Sequence, residues 1–256
     1  MTLKTIVMKF GGASVASPAC FARIADIILA KRQEVSQAVV VISAMGNTTN
    51  QLANLATQVH PNPPRREYDM LLTAGERISI ALLAMALAAK GCEAISFTGS
   101  QSGIITSCQH ADAKIEEMRP FRIEKALQEG KVAIVAGFQG VSRKGEITTL
   151  GRGGSDTTAV ALGIALEAKA VEFYKDVDGI YDHDPKACSA ACHYADLHYN
   201  EALTIVSKGA KILHARSILL AQKNNLPLIV QSFITNERKT LIQDPFAIRS
   251  STKIYE

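Results

Sequence analysis

The amino-acid sequence predicts an α/β fold organised on a central, mainly parallel sheet. Apolar β-branched runs alternate with longer segments of helical period, the pattern of strand–helix–strand units. One run, Ala38-Val39-Val40-Val41-Ile42, is apolar without alternation, as expected of a strand covered by helices on both faces. Glycine clusters follow the ends of such runs, and in open α/β sheets that edge is where ligands bind.

Taken in order, a strand over about residues 3–9 runs into Gly11-Gly12. Ser17-Pro18 supplies an N-cap and a first-turn proline for a helix to about residue 32, and the run at 38–42 is a central strand. Pro61-Asn62-Pro63-Pro64 breaks the chain before one long helix over about 68–90, stopped by Gly91 where helices favour a left-handed cap. Residues 94–97 and 131–136 read as strands, and 138–150, with Lys144-Gly145 near the middle, as a hairpin. Residues 151–156 open a helix. A strand at 169–174, a long loop at 176–196, a helix at 211–223 and a last core strand at 228–230 complete the pattern. No internal repeat or low-complexity linker interrupts it, so one domain over 1–256 is expected, with a division near residue 150 that no composition shift marks.

Composition narrows the function classes. Hydrophobic residues make up 47% and charged residues 20% of the chain, which is too apolar for a disordered segment. A net charge of +4 suits a pocket for anions, and without Lys/Arg runs no nucleic-acid partner is expected. No run of eighteen apolar residues and no leader pattern at the start argue for a cytoplasmic protein without a membrane partner. The five cysteines are odd in number and scattered, which favours reduced thiols. Cys188-x-x-x-Cys192-His193 offers one ligand pair where a structural zinc site normally has two, so no protein-held metal is expected.

Three clusters carry the chemistry. Neither the GxxxxGK[ST] loop nor the protein-kinase catalytic loop is present. Lys9-Phe10-Gly11-Gly12-Ala13-Ser14 lies where the first strand meets its helix; it reads as a phosphate cradle, or as a tight turn with a solvated lysine. In Gly151-Arg152-Gly153-Gly154-Ser155-Asp156, the unshielded Arg152 can pair with a carboxylate, while Ser155 and Asp156 are ligand groups or helix caps. The third, Lys175-Asp176-Val177-Asp178-Gly179-Ile180-Tyr181-Asp182-His183-Asp184-Pro185-Lys186, follows a core strand; as a plain acidic surface turn it leaves Tyr181 and Lys186 unexplained.

Together these motifs resemble the catalytic domain of aspartate kinases, in the amino acid kinase family. Lys9 to Val15 is similar to that family's KFGGTSV opening, with Ala13 for threonine. Ser43 and Thr49 match the loop after the second strand, Thr73-Ala74-Gly75-Glu76-Arg77 the GE motif on a long helix, and 151–156 the GRGGSD motif. Residues 176–185 resemble the nucleotide loop, with Lys175 where many relatives have threonine, and Gly209-Ala210-Lys211-Ile212-Leu213-His214 resembles GAKVLHP.

The resemblance implies an amino acid kinase αβα sandwich, with an N-lobe (about 1–150) for the amino acid and a C-lobe (about 151–256) for the nucleotide. It implies ATP-dependent phosphorylation of the L-aspartate side chain to 4-phospho-L-aspartate. The alternatives are an aspartate analogue as acceptor, or a nucleotide-binding subunit without catalysis. Lys9 and Lys211 would clamp the transferring phosphoryl group, with Asp156 between them as organiser. Arg152 and Ser155 would take the α-carboxylate and Glu76 the α-ammonium, with Ser43 and Thr49 orienting the reacting end. Gly11, Gly12, Ser14, Lys175, Asp176, Tyr181 and Lys186 would join both lysines around ATP, with Mg²⁺ carried on its phosphates. A homodimer is expected. So is insensitivity to lysine and threonine, because the sequence shows none of the ACT domains that follow in aspartate kinases.

Overall fold

The computed structural model describes residues 5–183, 185, 188, 190–210, 212–235, 237–247, 249 and 252–256. Lys186 and Lys211 lie outside the described residues.

Strand β1 (Thr5–Phe10) is buried along its whole length and ends in a short turn at Gly12–Val15. Helix α1 (Pro18–Arg32) starts with Pro18 in its first turn and ends on Lys31 and Arg32, which complement the carbonyl end of the helix dipole. Ser17 holds the N-cap position, but its hydroxyl lies 3.4 Å from Cys20 Sγ and caps no amide. After β2 (Gln37–Ile42) the chain forms α2 (Thr48–Val59), a helix that the sequence pattern does not predict. Only Ala56 of α2 is buried, so its apolar stripe of Leu52, Leu55, Ala56 and Val59 stays largely outside the core.

The long helix predicted at 68–90 starts earlier, directly after Pro64, as α3 (Arg65–Leu72) and α4 (Ala74–Ala88), divided at Thr73. By length and composition this rod could span a membrane, yet it carries Asp69 and Glu76 buried inside the fold and packs against α1 and the sheet. Gly91 ends the run with φ +72°, the left-handed cap expected.

Strands β3 (Ala94–Phe97), β4 (Ile104–Thr106) and β5 (Ile115–Met118) follow, then α5 (Phe121–Gln128) and β6 (Val132–Ala136). The hairpin forms as predicted from β7 (Gln139–Ser142) and β8 (Ile147–Thr149). Helix α6 (Gly154–Ala165) is buried at every residue but Ser155, and β9 (Val171–Lys175) follows it. The loop at 176–196 holds the short strands β10 (Ile180–Tyr181) and β11 (His193–Tyr194), paired antiparallel. Then come β12 (Asp196–Leu197), α7 (Tyr199–Ser207), α8 (Ala215–Lys223), β13 (Leu228–Ser232) and β14 (Lys239–Ile242). Helix α8 thus begins four residues later than predicted.

The main sheet has the order β12-β14-β13-β9-β1-β2-β6-β3. The run from β13 to β3 is parallel throughout, and β14 turns the edge antiparallel. Because side chains alternate across a strand, β1 splits its residues between two cores. Ile6, Met8 and Phe10 pack on the side of α1 and α4; Val7 joins Val171 and Phe173 of β9 on the side of α6 and α8. Lys9 therefore projects on the α6 side. A second, four-stranded sheet of order β5-β4-β7-β8 is entered from the carboxyl ends of β3 and β6. It walls one side of the crevice, which opens where the chain leaves β1 for β2 on one side and β9 flanks the other.

Candidate active site

Lys9 is only 5% exposed, which excludes the solvated-lysine alternative. Its Nζ lies 2.6 Å from Asp156 Oδ1, in the first turn of α6. The parallel register pairs Lys9 with Phe173, so Lys175, two residues further along β9, emerges on the same face. Lys175 Nζ stands 3.9 Å from Asp156 Oδ2. Among the described residues the second ammonium beside Asp156 is thus Lys175; the expectation that Lys211 stands there falls outside the described residues.

Burial alone would raise the Asp156 carboxyl, but the charges of Lys9 and Lys175 and the backbone N–H of His214 together hold it below its ordinary value. Burial and the nearby charge of Lys9 push Lys175 the other way, down to about 8, against the attraction of Asp156. Two ammonium groups and one carboxylate leave the floor of the site with net positive charge, the sign that a phosphoryl group requires.

The loops close tightly around this floor. Gly12 lies where a Cβ would come within 3.0 Å of Gly46 O, and the Gly46 N–H donates back to Gly12 O at 3.1 Å. Ser14 is buried, and its hydroxyl donates to Gly11 O at 2.6 Å, so it braces the glycine turn from behind. Gly153 is the N-cap of α6 with φ +73°, and a Cβ there would meet His214 Cγ at 2.2 Å. No side chain caps this helix, which leaves Ser155 available to a ligand and Asp156 to the lysines, and decides against the capping alternative.

Glu76 opens the other side. Its Oε1 accepts the Ala44 N–H at 3.1 Å, and its Oε2 is buried without a hydrogen-bond partner. Burial raises this carboxyl to about 7 against the opposing pull of the Ala44 amide and Lys9. A half-satisfied buried carboxylate is costly unless a cation completes it.

A cleft of about 490 Å³ joins these groups: Lys9, Ser43, Thr49, Glu76, Arg152, Ser155 and Asp156 all line it. Arg152 is exposed at its rim. Arg65, Tyr68, Ala111 and Phe138 line it too, and sequence reasoning missed them. Tyr68 stands two helical turns before Glu76 and Arg65 one turn before Tyr68, a spacing that placed them on the Glu76 face. Asp176 is exposed beyond β9, and Tyr181 donates to Asp178 Oδ1 at 2.6 Å, away from the cleft lining. Among the described residues no group of three or more His, Cys, Asp or Glu side chains is placed to hold a metal ion.

The amino acid kinase family profile matches residues 4–232. The chain belongs to the amino acid kinase family. Its architecture is that family's αβα sandwich. This amino acid kinase is 50% identical over 238 residues to the aspartokinase of Corynebacterium glutamicum, covering 93% of the chain and 56% of that protein. It superimposes on the aspartate kinase from Synechocystis with a TM-score of 0.85 at 45% identity, over 96% of this chain and 41% of that one. With E. coli aspartokinase III in complex with aspartate and ADP the TM-score is 0.83 at 27% identity, over 95% and 66% of the two chains. The kinase chain spans a little over half the length of the curated relatives it matches.

Proposed function

We propose that the chain transfers the γ-phosphoryl group of ATP to the side-chain carboxylate of L-aspartate, giving 4-phospho-L-aspartate and ADP. The observation that carries the reading is the pairing of Lys9 and Lys175 on one buried carboxylate, Asp156, in a cleft that is also lined by the half-satisfied Glu76. A cationic phosphoryl site thus adjoins a recognition site for an amino acid. The solved complex of E. coli aspartokinase III with aspartate and ADP supports the choice of ligands.

In this reading the α-carboxylate of aspartate pairs with Arg152 and Ser155, and its α-ammonium completes Glu76 Oε2. Ser43 and Thr49 orient the side-chain carboxylate. That carboxylate is ionised at neutral pH, so it attacks phosphorus without a general base. A bond from its oxygen to the γ-phosphorus forms as the bond to the ADP oxygen breaks. Lys9 neutralises charge on the transferring oxygens, with Lys175 beside it and Lys211 as a further clamp, and Asp156 fixes the first two lysines. The N–H groups of Gly11 and Gly12 and the turn braced by Ser14 cradle the phosphates. Asp176, Tyr181 and Lys186 contact the rest of the nucleotide.

Both carboxylates of the cleft are committed, Asp156 to lysines and Glu76 to the acceptor. Mg²⁺ therefore fits as the nucleotide's ion, held by phosphate oxygens and water, where it neutralises phosphate charge. The exposed Ile78 and Met85 of α4 suit a homodimer contact, and the reaction suits a cytoplasmic route to aspartate-derived amino acids such as lysine and threonine.

ATP turnover with aspartate, with glutamate and without acceptor, run with hydroxylamine to trap an acyl phosphate as its hydroxamate, tests the reading. Hydroxamate from aspartate alone supports it. Turnover with another acid only, or nucleotide binding without turnover, sinks it.

A further inference from the structure

Asp69 of α3 is fully buried, and no lysine or arginine pairs with it among the described residues. It is instead surrounded by hydrogen-bond donors from two other segments. Thr149, the last residue of β8, donates its hydroxyl to Oδ1 at 2.6 Å and its N–H to Oδ2 at 3.1 Å. The Ala111 N–H is shared between both oxygens at 3.1 Å each, and His110 Nδ1 lies 2.8 Å from Oδ2. Two backbone amides and a hydroxyl whose proton is directed at Oδ1 require a group that only accepts, on both oxygens.

What Asp69 holds is the wall of the cleft. Ala111 lines the cleft and has φ +69°, a left-handed conformation that costs an alanine energy and persists only where its surroundings enforce it. Phe138, with φ +70°, is a second strained residue of the same wall, and its carbonyl accepts the Leu150 N–H. Thr149 leads through Leu150 directly into Gly151 and Arg152. Gly151 in turn lies against the 111–112 segment, where a Cβ would come within 2.9 Å of Asp112 Oδ1 and 3.2 Å of Ala111 O. Asp69 thus reaches both sides of the contact that sets the base of the Arg152 loop.

We infer that Asp69 is a positioning residue for the acceptor amino acid: by holding Ala111 in its strained turn and Thr149 at the base of the Arg152 loop, it fixes where Arg152 meets the substrate carboxylate. This rests on the acceptor-binding role proposed for Arg152. Among the described residues no hydrogen bond or ion pair joins Asp69 to β1 or β9, the strands on which the proposed nucleotide side is built.

The test is Asp69→Asn, which keeps the shape but places an NH₂ against a donor. The KM for aspartate should rise by about ten- to a hundredfold, since displacements of about 1 Å in a positioning group cost that much. The affinity for a non-hydrolysable ATP analogue, measured by calorimetry, should stay within about twofold. Ala111→Gly, which removes the strain that Asp69 opposes, should recover part of the lost KM on the Asp69→Asn background. Thr149→Val is the milder second variant should Asp69→Asn not fold, and it should raise the same KM severalfold. An unchanged KM for aspartate in a folded variant, or an equal loss of nucleotide affinity, overturns the inference. If the unsubstituted chain turns over no aspartate at all, the proposed function fails instead.

Discussion

Lys175 Nζ stands 3.9 Å from Asp156 Oδ2, across the same carboxylate whose Oδ1 is held by Lys9 at 2.6 Å. A neutral side chain at 175 could not set a second positive charge there. With Lys175 brought down to about 8 by burial, its ammonium form is lost as pH rises past that value. The kcat/KM for ATP, which reports the free enzyme, should therefore fall on an alkaline limb near pH 8. Lys175→Met should abolish the limb and lower kcat/KM by about a hundredfold at neutral pH, the scale of losing one charge aimed at a transition state. An unaltered pH profile in Lys175→Met would remove Lys175 from the phosphoryl site.

Glu76 sets the opposite dependence. Its carboxyl is raised to about 7, so the ionised form that an ammonium needs is depleted below that pH, and the KM for aspartate should climb as pH falls from 8 to 6. Stability moves the other way. A carboxyl raised in the folded state contributes stability that is fully present below its unfolded value of 4.5 and lost as pH rises through about 7. Glu76→Gln should accordingly raise the melting temperature at pH 8 but not at pH 4, while raising the KM for aspartate by about a hundredfold. Thermal melts at the two pH values decide it.

Much of this was legible in the chain, and the parts that were not share a physical cause. Helix α1 announces itself through Pro18 and its basic last turn, and β2 through a run of apolar residues. Helix α2 carries Leu52, Leu55, Ala56 and Val59 at helical spacing but buries only Ala56, so its stripe is not anchored in the core. Strands β4 and β5 span three and four residues, too short for alternation to be distinctive. At the site, the motifs identified Lys9, Glu76, Arg152 and Asp156, but the partner of Asp156 depends on strand register. Only once Lys9 is paired with Phe173 does the odd-numbered face of β9 bring Lys175 alongside. Asp69 carried no motif at all; its meaning lies in three segments meeting around it.

Arg152 is exposed at the cleft rim, whereas Asp156 is buried on its floor, and the two should separate kinetically. If Arg152 holds the α-carboxylate as proposed, Arg152→Ala should raise the KM for aspartate by about tenfold or more with kcat little changed. Asp156→Ala frees Lys9 and Lys175 to repel each other and should lower kcat by about a hundredfold or more with a smaller effect on that KM. Steady-state kinetics with aspartate varied at saturating ATP measure both. A fall in kcat with the KM for aspartate unchanged would place Arg152 in the transition state rather than at the binding rim.

Gly153 ties the head of α6 to the segment before α8. Its φ of +73° favours glycine, and a Cβ would sit 2.2 Å from His214 Cγ, an overlap that a change of rotamer cannot relieve because His214 Cβ is itself only 2.4 Å away. Gly153→Ala must therefore displace either the start of α6, which carries Asp156, or the 212–214 segment, whose His214 N–H helps hold the Asp156 carboxyl ionised. Strain in a left-handed turn and the forced separation each cost about 1–3 kcal/mol, so the melting temperature should drop by several degrees. Activity should fall further than stability alone explains, because the shift acts on the carboxylate that organises both lysines. Comparison with Gly145→Ala separates the two effects: Gly145 has φ +83° in the β7–β8 turn, but a Cβ there meets no atom within 4 Å. That variant should lose stability by the same conformational term and keep its kcat, whereas Gly153→Ala should lose both; equal kcat values in the two variants would sever the link drawn between His214 and Asp156.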